Sequence, residues 1–362
     1  MHAISARMNS MRENDIHSLI EWYKENKRRL PWRDTGNPYD VWLSEIMLQQ
    51  TRIEAVKPKY LSFKEALPTI QDLAQCSDDR LMRLWEGLGY YSRARNLKKC
   101  ANVLVDQYNG KLPNDYHALL NLPGIGPYTA GAIASIAFDI PVSAIDGNVL
   151  RVLARYYGIQ DDIRNPKVRN ILEDKLHNFY TNKDKHYDYS SFNQGIMELG
   201  ETVCVPNGTP QCHKCPLKEH CYACIHDVTQ SIPYRSALKK RKIVERTLFI
   251  IRDKQSFVVH KRPSSGLLAG LYEFIGIDKH LNQSSAIQYV ESLGFTPLKI
   301  QVLPESVHIF THLEWHMHAY EIKVAQIQQL DQDFYSVTKK ELQSLAIPSA
   351  FKKYIDWYSL RD

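Results

Sequence analysis

The spacing of apolar residues changes once along this chain, near residue 243, and this change limits the possible fold more than any other feature. From residue 12 to 200 the apolar residues recur at helical spacing, and patterns typical of β-strands are scarce before residue 240. Beyond residue 243, runs of β-branched and aromatic residues alternate with polar turns. The sequence therefore predicts an all-α module followed by a smaller α+β module. We expect a helical region at 1–225, a basic linker at 226–243 that contains the run Lys239–Lys242, and a third region at 244–362.

Several segments carry clear secondary-structure signals. In NPYDVWLSEIMLQQT, Asn37 can cap a helix that starts at Pro38. In DGNVLRVLARYYG, apolar residues at helical spacing end at Gly158, a typical stop. Further along, VERTLFIIRDKQSFVVHKR predicts a hairpin, SSAIQYVESLGF one amphipathic helix, and KIQVLPESVHIFTHLEWHMHAYEIKV further strands.

Charge and hydropathy narrow the functional class. The formal net charge of +6 permits a polyanionic partner without proving one. No apolar run reaches membrane length, and the N-terminus has no apolar core of a secretory signal. The sequence thus predicts a cytoplasmic protein, associated with the nucleoid if it is bacterial, and we expect a monomer without a membrane partner.

The stretch LPGIGPYTAG, residues 122–131, predicts a tight turn before a helix. Gly124 and Gly126 permit backbone conformations closed to other residues, and Pro127 suits a first helical turn. The unpaired amides at such a helix start can bind a phosphate. The alternative is a plain turn between two packed helices.

Five of the seven cysteines fall between Cys204 and Cys224. A local cluster in a chain without a signal peptide indicates a metal or iron–sulfur site more than a disulfide framework. The candidate ligands have the spacing C-x7-C-x2-C-x5-C and are Cys204, Cys212, Cys215 and Cys221. This spacing alone leaves a [4Fe–4S] cluster and tetrahedral zinc both open. Cys224 forms a second C-x2-C with Cys221 and is an alternative fourth ligand.

Glu45 and Asp146 are two acidic residues whose predicted environments differ. Glu45 lies among apolar residues on a predicted helix face, where desolvation raises a carboxyl pKa and suits a general acid. Asp146 precedes a helix, and there the dipole favours the charged form. Such a pairing fits glycosidic bond cleavage. Taken singly, Asp146 is also explained as a helix cap and Glu45 as a helix-surface acid.

The turn, the aspartate that follows it and the distal cysteines together resemble the endonuclease III superfamily of DNA glycosylases, which share a helix-hairpin-helix. Within it, the match is close to the adenine DNA glycosylases of the MutY type and covers nearly the whole chain. The match rests on LPWR at 30–33, WLSEIMLQQTR at 42–52, WEGLGYYSRARNL at 85–97 and IDGNVLRVLAR at 145–155.

This resemblance implies a multi-domain fold: an all-α six-helix barrel with a helix-hairpin-helix and a [4Fe–4S] module, then a C-terminal α+β Nudix-like domain. It also implies that Glu45 and Asp146 are the catalytic pair, supported by Tyr128 and Asn148. Superfamily members that also cut the strand carry a Lys where this chain has Tyr128. Since Tyr has no amine to form a Schiff base, we expect a monofunctional glycosylase. The cluster resembles the family's [4Fe–4S] site, with zinc as the alternative, although the first gap is seven residues where the family usually has six.

The resemblance also assigns residues that contact DNA. Adenine must be flipped out of the duplex before its bond can be cut. Residues that wedge the helix or touch the opposite base are implied at Gln50, Thr51, Leu88 and Tyr90, although core packing equally explains Leu88 and Tyr90. The strand beside the flipped nucleotide is implied to contact the amides around Gly124 and Gly126. The implied adenine pocket consists of Arg28, Trp32, Arg33, Leu48 and Gln194. Lys214 and Lys218, between the cysteines, are expected to face DNA.

The C-terminal region resembles a Nudix domain that has lost hydrolysis. SSGLLAGLYEFIG looks like the start of the hydrolase motif, but its carboxylates do not follow, so Mg²⁺ lacks its oxygen ligands. In the family this domain recognises 8-oxoguanine through a Phe-Ser-His loop, which corresponds here to Phe310, Thr311 and His312. Nearby histidines suggest either a metal site or solvent-facing strand positions; they are His308, His316 and His318.

The sequence therefore predicts a DNA glycosylase that excises adenine opposite 8-oxoguanine or guanine in duplex DNA. Protonation of adenine N7 by Glu45 and stabilisation of an oxocarbenium-like sugar by Asp146 are the expected steps. The alternatives are a thymine-glycol-type glycosylase with lyase activity, a catalytically silent iron–sulfur DNA-binding protein, and a Nudix hydrolase. Tyr128 argues against the first, because it has no amine. The presence of both carboxylates argues against the second, and the missing Nudix carboxylates argue against the third.

Overall fold

The computed structural model describes residues 10–237, 240–327, 330 and 333–359. The chain divides into two compact units. The helical unit comprises Met1–Gln75 with Arg95–Ala237, and the sheet unit comprises Cys76–Ala94 with Leu238–Asp362. The start of the predicted basic run, Lys239, lies outside the described residues. The predicted domain limits stay a prediction. Within the described residues, no helix has the length and apolar character needed to cross a membrane.

Helices make up the regular structure before residue 242. They are α1 (Glu13–Asn26), α2 (Pro38–Leu48), α3 (Ile53–Ala66), α4 (Ile70–Gln75), α5 (Asp78–Leu84), α6 (Ser92–Tyr108), α7 (Tyr116–Leu120), α8 (Pro127–Phe138), α9 (Gly147–Tyr157), α10 (Pro166–Thr181), α11 (Tyr189–Thr202) and α12 (Tyr222–Ile225). Short 3₁₀ turns lie at Cys212–Lys214 and Lys218–His220. Helix α11 packs against α1, α8 and α9, so it forms the centre of the helical unit.

The predicted helix caps are confirmed. The side chain of Asn37 accepts a hydrogen bond from the Tyr39 amide, and Pro38 begins α2. Helix α9 ends at Gly158, which has a left-handed φ of +69°. A Cβ at Gly158 would lie 2.5 Å from the Tyr222 ring, so packing also favours glycine there.

The glycine-rich turn before α8 is confirmed, but only one of its glycines needs special backbone freedom. Gly124 has φ of +76°, and a Cβ there would lie 2.6 Å from Cβ of Asn96. Gly126, by contrast, has the ordinary extended values of −94° and 179°. Gly126 therefore does not use the backbone freedom that glycine permits. A Cβ at Gly126 would meet nothing within 4 Å, so this helix start is open to an approaching group.

The sheet unit contains one seven-stranded sheet. Its strands are β1 (Lys242–Arg252), β2 (Ser256–Lys261), β3 (Tyr272–Glu273), β4 (Ile275–Ile277), β5 (Pro297–Ile309), β6 (Leu313–Val324) and β7 (Phe334–Thr338). The order is β3-β2-β1-β6-β5, with β4 paired to β1 and β7 to β2. Strands β1 and β6 are parallel, while the other pairs are antiparallel, including the predicted β1–β2 hairpin.

Both faces of this sheet are covered along β1. Leu248 and Ile250 belong to one core cluster, whereas Phe249 and Ile251 belong to the other. A strand buried on both faces explains why the sequence here is a continuous apolar run. The predicted helix is confirmed as α13 (Gln283–Ser292), and α14 (Lys339–Ser344), a 3₁₀ turn (Ser349–Phe351) and α15 (Lys352–Ser359) follow.

Candidate active site

Glu45 is a partly buried residue on α2. Its Oε2 accepts a 2.5 Å hydrogen bond from the hydroxyl of Tyr128. The pKa of Glu45 is raised to about 7, chiefly by burial and also by the charge of Asp146, while the hydrogen bond from Tyr128 opposes the rise. The raised pKa expected from the apolar surroundings is thus present, and it gives Glu45 a proton to donate near neutral pH.

Asp146 caps α9, as its position before that helix suggests. Its Oδ1 accepts a 2.7 Å bond from the Val149 amide, and its Oδ2 accepts a 2.9 Å bond from the Asn148 side chain. The expectation that the helix start keeps this pKa low is wrong. Burial raises the pKa of Asp146, and the hydrogen bonds from Val149 and Asn148 only oppose that rise.

Asn148 forms hydrogen bonds with three other side chains, the first of which is Asp146. Its Nδ2 also donates to Glu201 Oε1 at 3.0 Å, and its Oδ1 accepts from Arg151 Nη2 at 2.8 Å. A Cβ on Gly200 would lie 2.7 Å from Cβ of Asn148, so only glycine permits α11 to approach so closely. Sequence reasoning missed Glu201, Arg151 and Gly200, although the i,i+3 spacing of Asn148 and Arg151 on one helix was a usable signal.

The structure brings the two predicted catalytic carboxylates together across the 101 positions between 45 and 146. Asp146 contributes to the raised pKa of Glu45, and both carboxylates help to raise the pKa of Tyr128 well above its ordinary value. Burial is the largest cause of the shift at Tyr128. Its hydroxyl therefore stays protonated and acts as a hydrogen-bond donor.

Arg28 and Arg33 share a carboxylate that sequence reasoning missed. Glu198 on α11 accepts bonds from Arg28 Nε at 2.5 Å, Arg28 Nη2 at 3.0 Å and Arg33 Nη2 at 2.7 Å. The Glu198 side chain is only 1% exposed. Burial raises its pKa, but the bonds from the two guanidinium groups outweigh burial and lower the pKa below its ordinary value. Glu198 therefore fixes both arginine side chains as an ionised partner.

The other predicted pocket residues have their own partners in the helical unit. Gln194 accepts a 2.8 Å bond from the Tyr23 hydroxyl. Trp32 is buried, with its ring edge-on to Tyr60 at 5.2 Å between centroids. Leu48 is partly buried at the end of α2.

Gln50 and Thr51 form the turn that follows α2. Gln50 is exposed with a left-handed φ of +57°, and the Thr51 amide donates to the Leu48 carbonyl at 3.1 Å. An exposed turn is accessible to a large partner, in keeping with the role that the resemblance implies.

Leu88 and Tyr90 lie in the sheet unit and differ in exposure. Leu88 is buried, which agrees with the core-packing alternative, whereas Tyr90 is 45% exposed with φ of +45°. The Tyr90 hydroxyl lies 2.5 Å from that of Thr311, at the exposed tip between β5 and β6. Two residues predicted separately to contact DNA are therefore in direct contact with each other.

The β5–β6 tip contains the predicted Phe310, Thr311 and His312. Phe310 packs against Trp315 at 4.9 Å between ring centroids, and its carbonyl accepts from Arg241 Nε at 3.1 Å. Thr311 and His312 are exposed. The tip therefore has one anchored residue and two accessible ones.

The carboxylates of the Nudix-like region do not form a Mg²⁺ site where that motif begins. Glu273 is buried and pairs with Arg246 Nη2 at 2.9 Å and Arg262 Nη1 at 2.7 Å. Helix α13, which follows, carries Glu291 as its one carboxylate. Glu273 is therefore already paired with two arginines and is not free to bind Mg²⁺.

The four candidate cysteine ligands line a common cavity. Cys224 also lines it, so the choice of a fourth ligand stays open. Arg155 Nη1 lies 3.2 Å from Sγ of Cys204, and Lys218 lines the same cavity. Several thiols around one cavity beside two cationic side chains fit a bound metal–sulfur group with excess negative charge.

Comparisons with known proteins find matches to both the helical part and the sheet-containing part of this chain. The profile described as HhH-GPD superfamily base excision DNA repair protein matches residues 43–178, and that of a NUDIX domain matches 247–357. The adenine DNA glycosylase of Buchnera aphidicola subsp. Baizongia pistaciae is 34% identical over 304 residues and 82% of each chain. That of Mus musculus is 31% identical over 94% of this chain and 77% of its own. The solved structure of a thermostable thymine-DNA glycosylase has a TM-score of 0.50 at 26% identity, covering 58% of this chain and 95% of the other.

Proposed function

The chain belongs to the adenine DNA glycosylase family, with an HhH-GPD core and a Nudix-like domain, and is a hydrolase of N-glycosyl bonds in DNA; from this premise we propose that it excises adenine opposite 8-oxoguanine or guanine and leaves the strand uncut. The observation that carries the proposal is the contact of Glu45, with its pKa near 7, to Tyr128 beside Asp146.

Glu45 is the proposed general acid. Tyr128 donates to Oε2, so the other carboxyl oxygen carries the proton and delivers it to N7 of a flipped adenine. Protonation turns adenine into a better leaving group. The bond between C1′ and N9 then breaks, and its electron pair leaves with the base.

Asp146 is the proposed stabiliser of the sugar cation that remains. The positive charge that develops at the sugar favours the ionised form of the carboxyl, against the effect of burial. The bonds from Val149 and Asn148 fix its orientation before the reaction. Water then adds to C1′ and releases a proton, which leaves an abasic site.

Tyr128 is the proposed reason that the DNA strand is not cut. A lyase step requires an amine that forms a Schiff base with the sugar. The hydroxyl of Tyr128 offers none, and it is occupied as a donor to Glu45. Borohydride should therefore trap little or no protein–DNA adduct.

The remaining DNA contacts are assigned as the resemblance implies. Arg28, Arg33, Trp32, Leu48 and Gln194 surround the adenine, and Glu198 orients the two arginines. The amides around Gly124 and Gly126 bind a backbone phosphate. Gln50, Thr51, Leu88 and Tyr90 fill the vacated space, and the tip formed by Phe310, Thr311 and His312 reads the opposite base.

A [4Fe–4S] cluster is the proposed cofactor, with zinc as the alternative. Cys204, Cys212, Cys215 and Cys221 would hold it, and Cys224 is a substitute ligand. When bound, the cluster would cross-link this loop and supply no step of base release. Absorbance near 400 nm with iron analysis tests it, since zinc without iron would refute it.

One excision assay tests the whole proposal. Duplexes with adenine opposite 8-oxoguanine, guanine and thymine are incubated with the protein, and free adenine and strand breaks are measured separately. We expect release from the first two, with intact strands until alkali is added. If adenine is released from none of the three duplexes, the proposal is wrong.

A further inference from the structure

A cluster of histidine and glutamate side chains lies on the sheet unit, and it uses none of the residues assigned to base excision or to the cysteine site. On β6, Trp315 and Met317 point into one core, so His316 and His318 lie on the opposite face. Farther along, Tyr320 and Ile322 on that face pack in the core that contains α13 residues. The histidines are thus beyond the covered part of the face, where solvent reaches them.

Three side chains in this cluster have atoms close enough to share an ion. One oxygen of Glu245 and one ring nitrogen each of His280 and His318 lie within 4.8 Å of one another. The Glu245 carboxylate is 3.0 Å from His318 Nε2, and the rings of His280 and His318 are 3.9 Å apart at their centroids. Glu245 comes from β1, His318 from β6, and His280 from the segment after β4.

The segment that carries His280 is fixed in place by partly buried hydrogen bonds. The Thr247 hydroxyl donates to the Lys279 carbonyl at 2.7 Å and accepts from the Leu281 amide at 2.9 Å. The Tyr320 hydroxyl donates to the Leu281 carbonyl at 3.0 Å. These bonds flank His280 on both sides, so its position beside His318 is built into the fold.

A second carboxylate gives His318 the arrangement found at metal-bound histidines. Glu305 Oε1 lies 2.9 Å from His318 Nδ1, on the opposite side of the ring from Glu245. A neutral imidazole that donates from Nδ1 to a carboxylate presents the Nε2 lone pair to a metal, and this hydrogen bond fixes its tautomer.

We propose that Glu245, His280 and His318 bind one Zn²⁺ ion, with Glu305 orienting His318. Two imidazole nitrogens and a carboxylate oxygen suit zinc, whereas Mg²⁺ and Ca²⁺ prefer sites made of oxygen alone. Glu245 and His280 are exposed, which leaves a route for the ion and room for water as a further ligand. The ion would tie β1, β6 and the segment after β4 together and so stabilise the sheet unit.

Zinc binding by the full-length protein tests this site. Wild type, His280→Ala, His318→Gln and the control His308→Ala are dialysed against Zn²⁺, and zinc and iron per chain are measured. His308 lies on β5 outside the group of three, and the cysteines are the same in all four proteins. We expect wild type and the control to hold one zinc ion more than the other two variants.

Two further measurements guard against a folding artefact. His280 is exposed, so its substitution is expected to leave the zinc-free thermal transition unchanged, while added Zn²⁺ raises that transition only in wild type and the control. Glu305→Gln should weaken zinc binding by about 10- to 100-fold. Equal zinc content in wild type and His280→Ala, or an equal loss in the control, would overturn the proposal and leave the cluster as histidines in contact with glutamates.

Discussion

The hydroxyl of Tyr128 donates a 2.5 Å hydrogen bond to Oε2 of Glu45, a residue 83 positions earlier in the chain. This contact joins the start of α8 to α2 and places a neutral donor on a carboxyl whose pKa is about 7. In the proposed mechanism, this one contact bears both on how the base is protonated and on why the strand stays intact.

The first prediction concerns pH. A general acid acts in its protonated form, so the single-turnover rate of adenine release should fall about tenfold per pH unit above the Glu45 pKa of about 7. Glu45→Gln should lower the rate by about 100-fold or more and abolish this limb of the profile. The control Glu21→Gln changes an exposed acid on α1 and should behave as wild type. A rate that stays constant from pH 6 to pH 9 would contradict the role of Glu45.

Removal of the Tyr128 hydroxyl should shift that profile in a defined direction. The bond from Tyr128 lowers the pKa of Glu45, so Tyr128→Phe should raise this pKa and move the alkaline limb to higher pH. Tyr335→Phe alters an exposed tyrosine of the sheet unit and should leave the limb unchanged. A shift to lower pH would show that Tyr128 does not act on Glu45 as inferred.

The next prediction concerns the contribution of Glu198 to the free energy of unfolding. Glu198→Gln leaves two arginines without their charged partner, and we expect a loss of about 3 kcal/mol in the free energy of unfolding. The control Glu173→Gln removes a partly exposed i,i+4 pair with Arg169 on α10 and should cost about 0.5 kcal/mol or less. Urea unfolding measures both losses, and equal losses would argue against a special role for Glu198.

The same carboxylate predicts a pH dependence of stability. Folding lowers the pKa of Glu198 below its ordinary value of 4.5, so its stabilisation is complete above that value. It should be lost as pH falls through the lower folded pKa. Urea unfolding from pH 7 to pH 3 should therefore show a smaller loss of stability in Glu198→Gln than in wild type.

The contact between Tyr90 and Thr311 predicts an effect on recognition of the opposite base. Thr311→Ala removes a hydroxyl that lies 2.5 Å from that of Tyr90 at an exposed tip. We expect the preference for 8-oxoguanine over guanine to fall by about tenfold, the effect of one or two lost hydrogen bonds. Lys340→Ala, on α14 of the same unit, serves as the control. An unchanged preference would contradict the role of Thr311.

Local features of this fold could be predicted from sequence because their causes are local. Asn37 bonds to an amide two positions away, and Gly158 ends α9 through its own backbone angle. By contrast, the proximity of Glu45 and Asp146 was implied only by resemblance, since no local rule joins residues so far apart. The pKa of Asp146 was misjudged because the helix start is visible in sequence and the burial around it is not.

Residues whose role depends on packing were missed or left open. Glu198 is one of two acids on α11, and its two arginine partners come from the loop that follows α1. The assignment of Cys76–Ala94 to the sheet unit is equally non-local, because its contacts, such as Arg83 with the Ser344 carbonyl, span most of the chain. Periodicity does not reveal such contacts.

Arg151 also has a wider role than that of a support for Asn148. Its Nη2 donates to Asn148 and to the Gly200 carbonyl, while its Nε donates to the carbonyl of Cys204 at 2.8 Å. The same guanidinium therefore contacts the first of the clustered cysteines and the side chain that bonds to Asp146. If these cysteines hold a metal–sulfur group as proposed, loss of that group would act on Asp146 through Arg151 and Asn148.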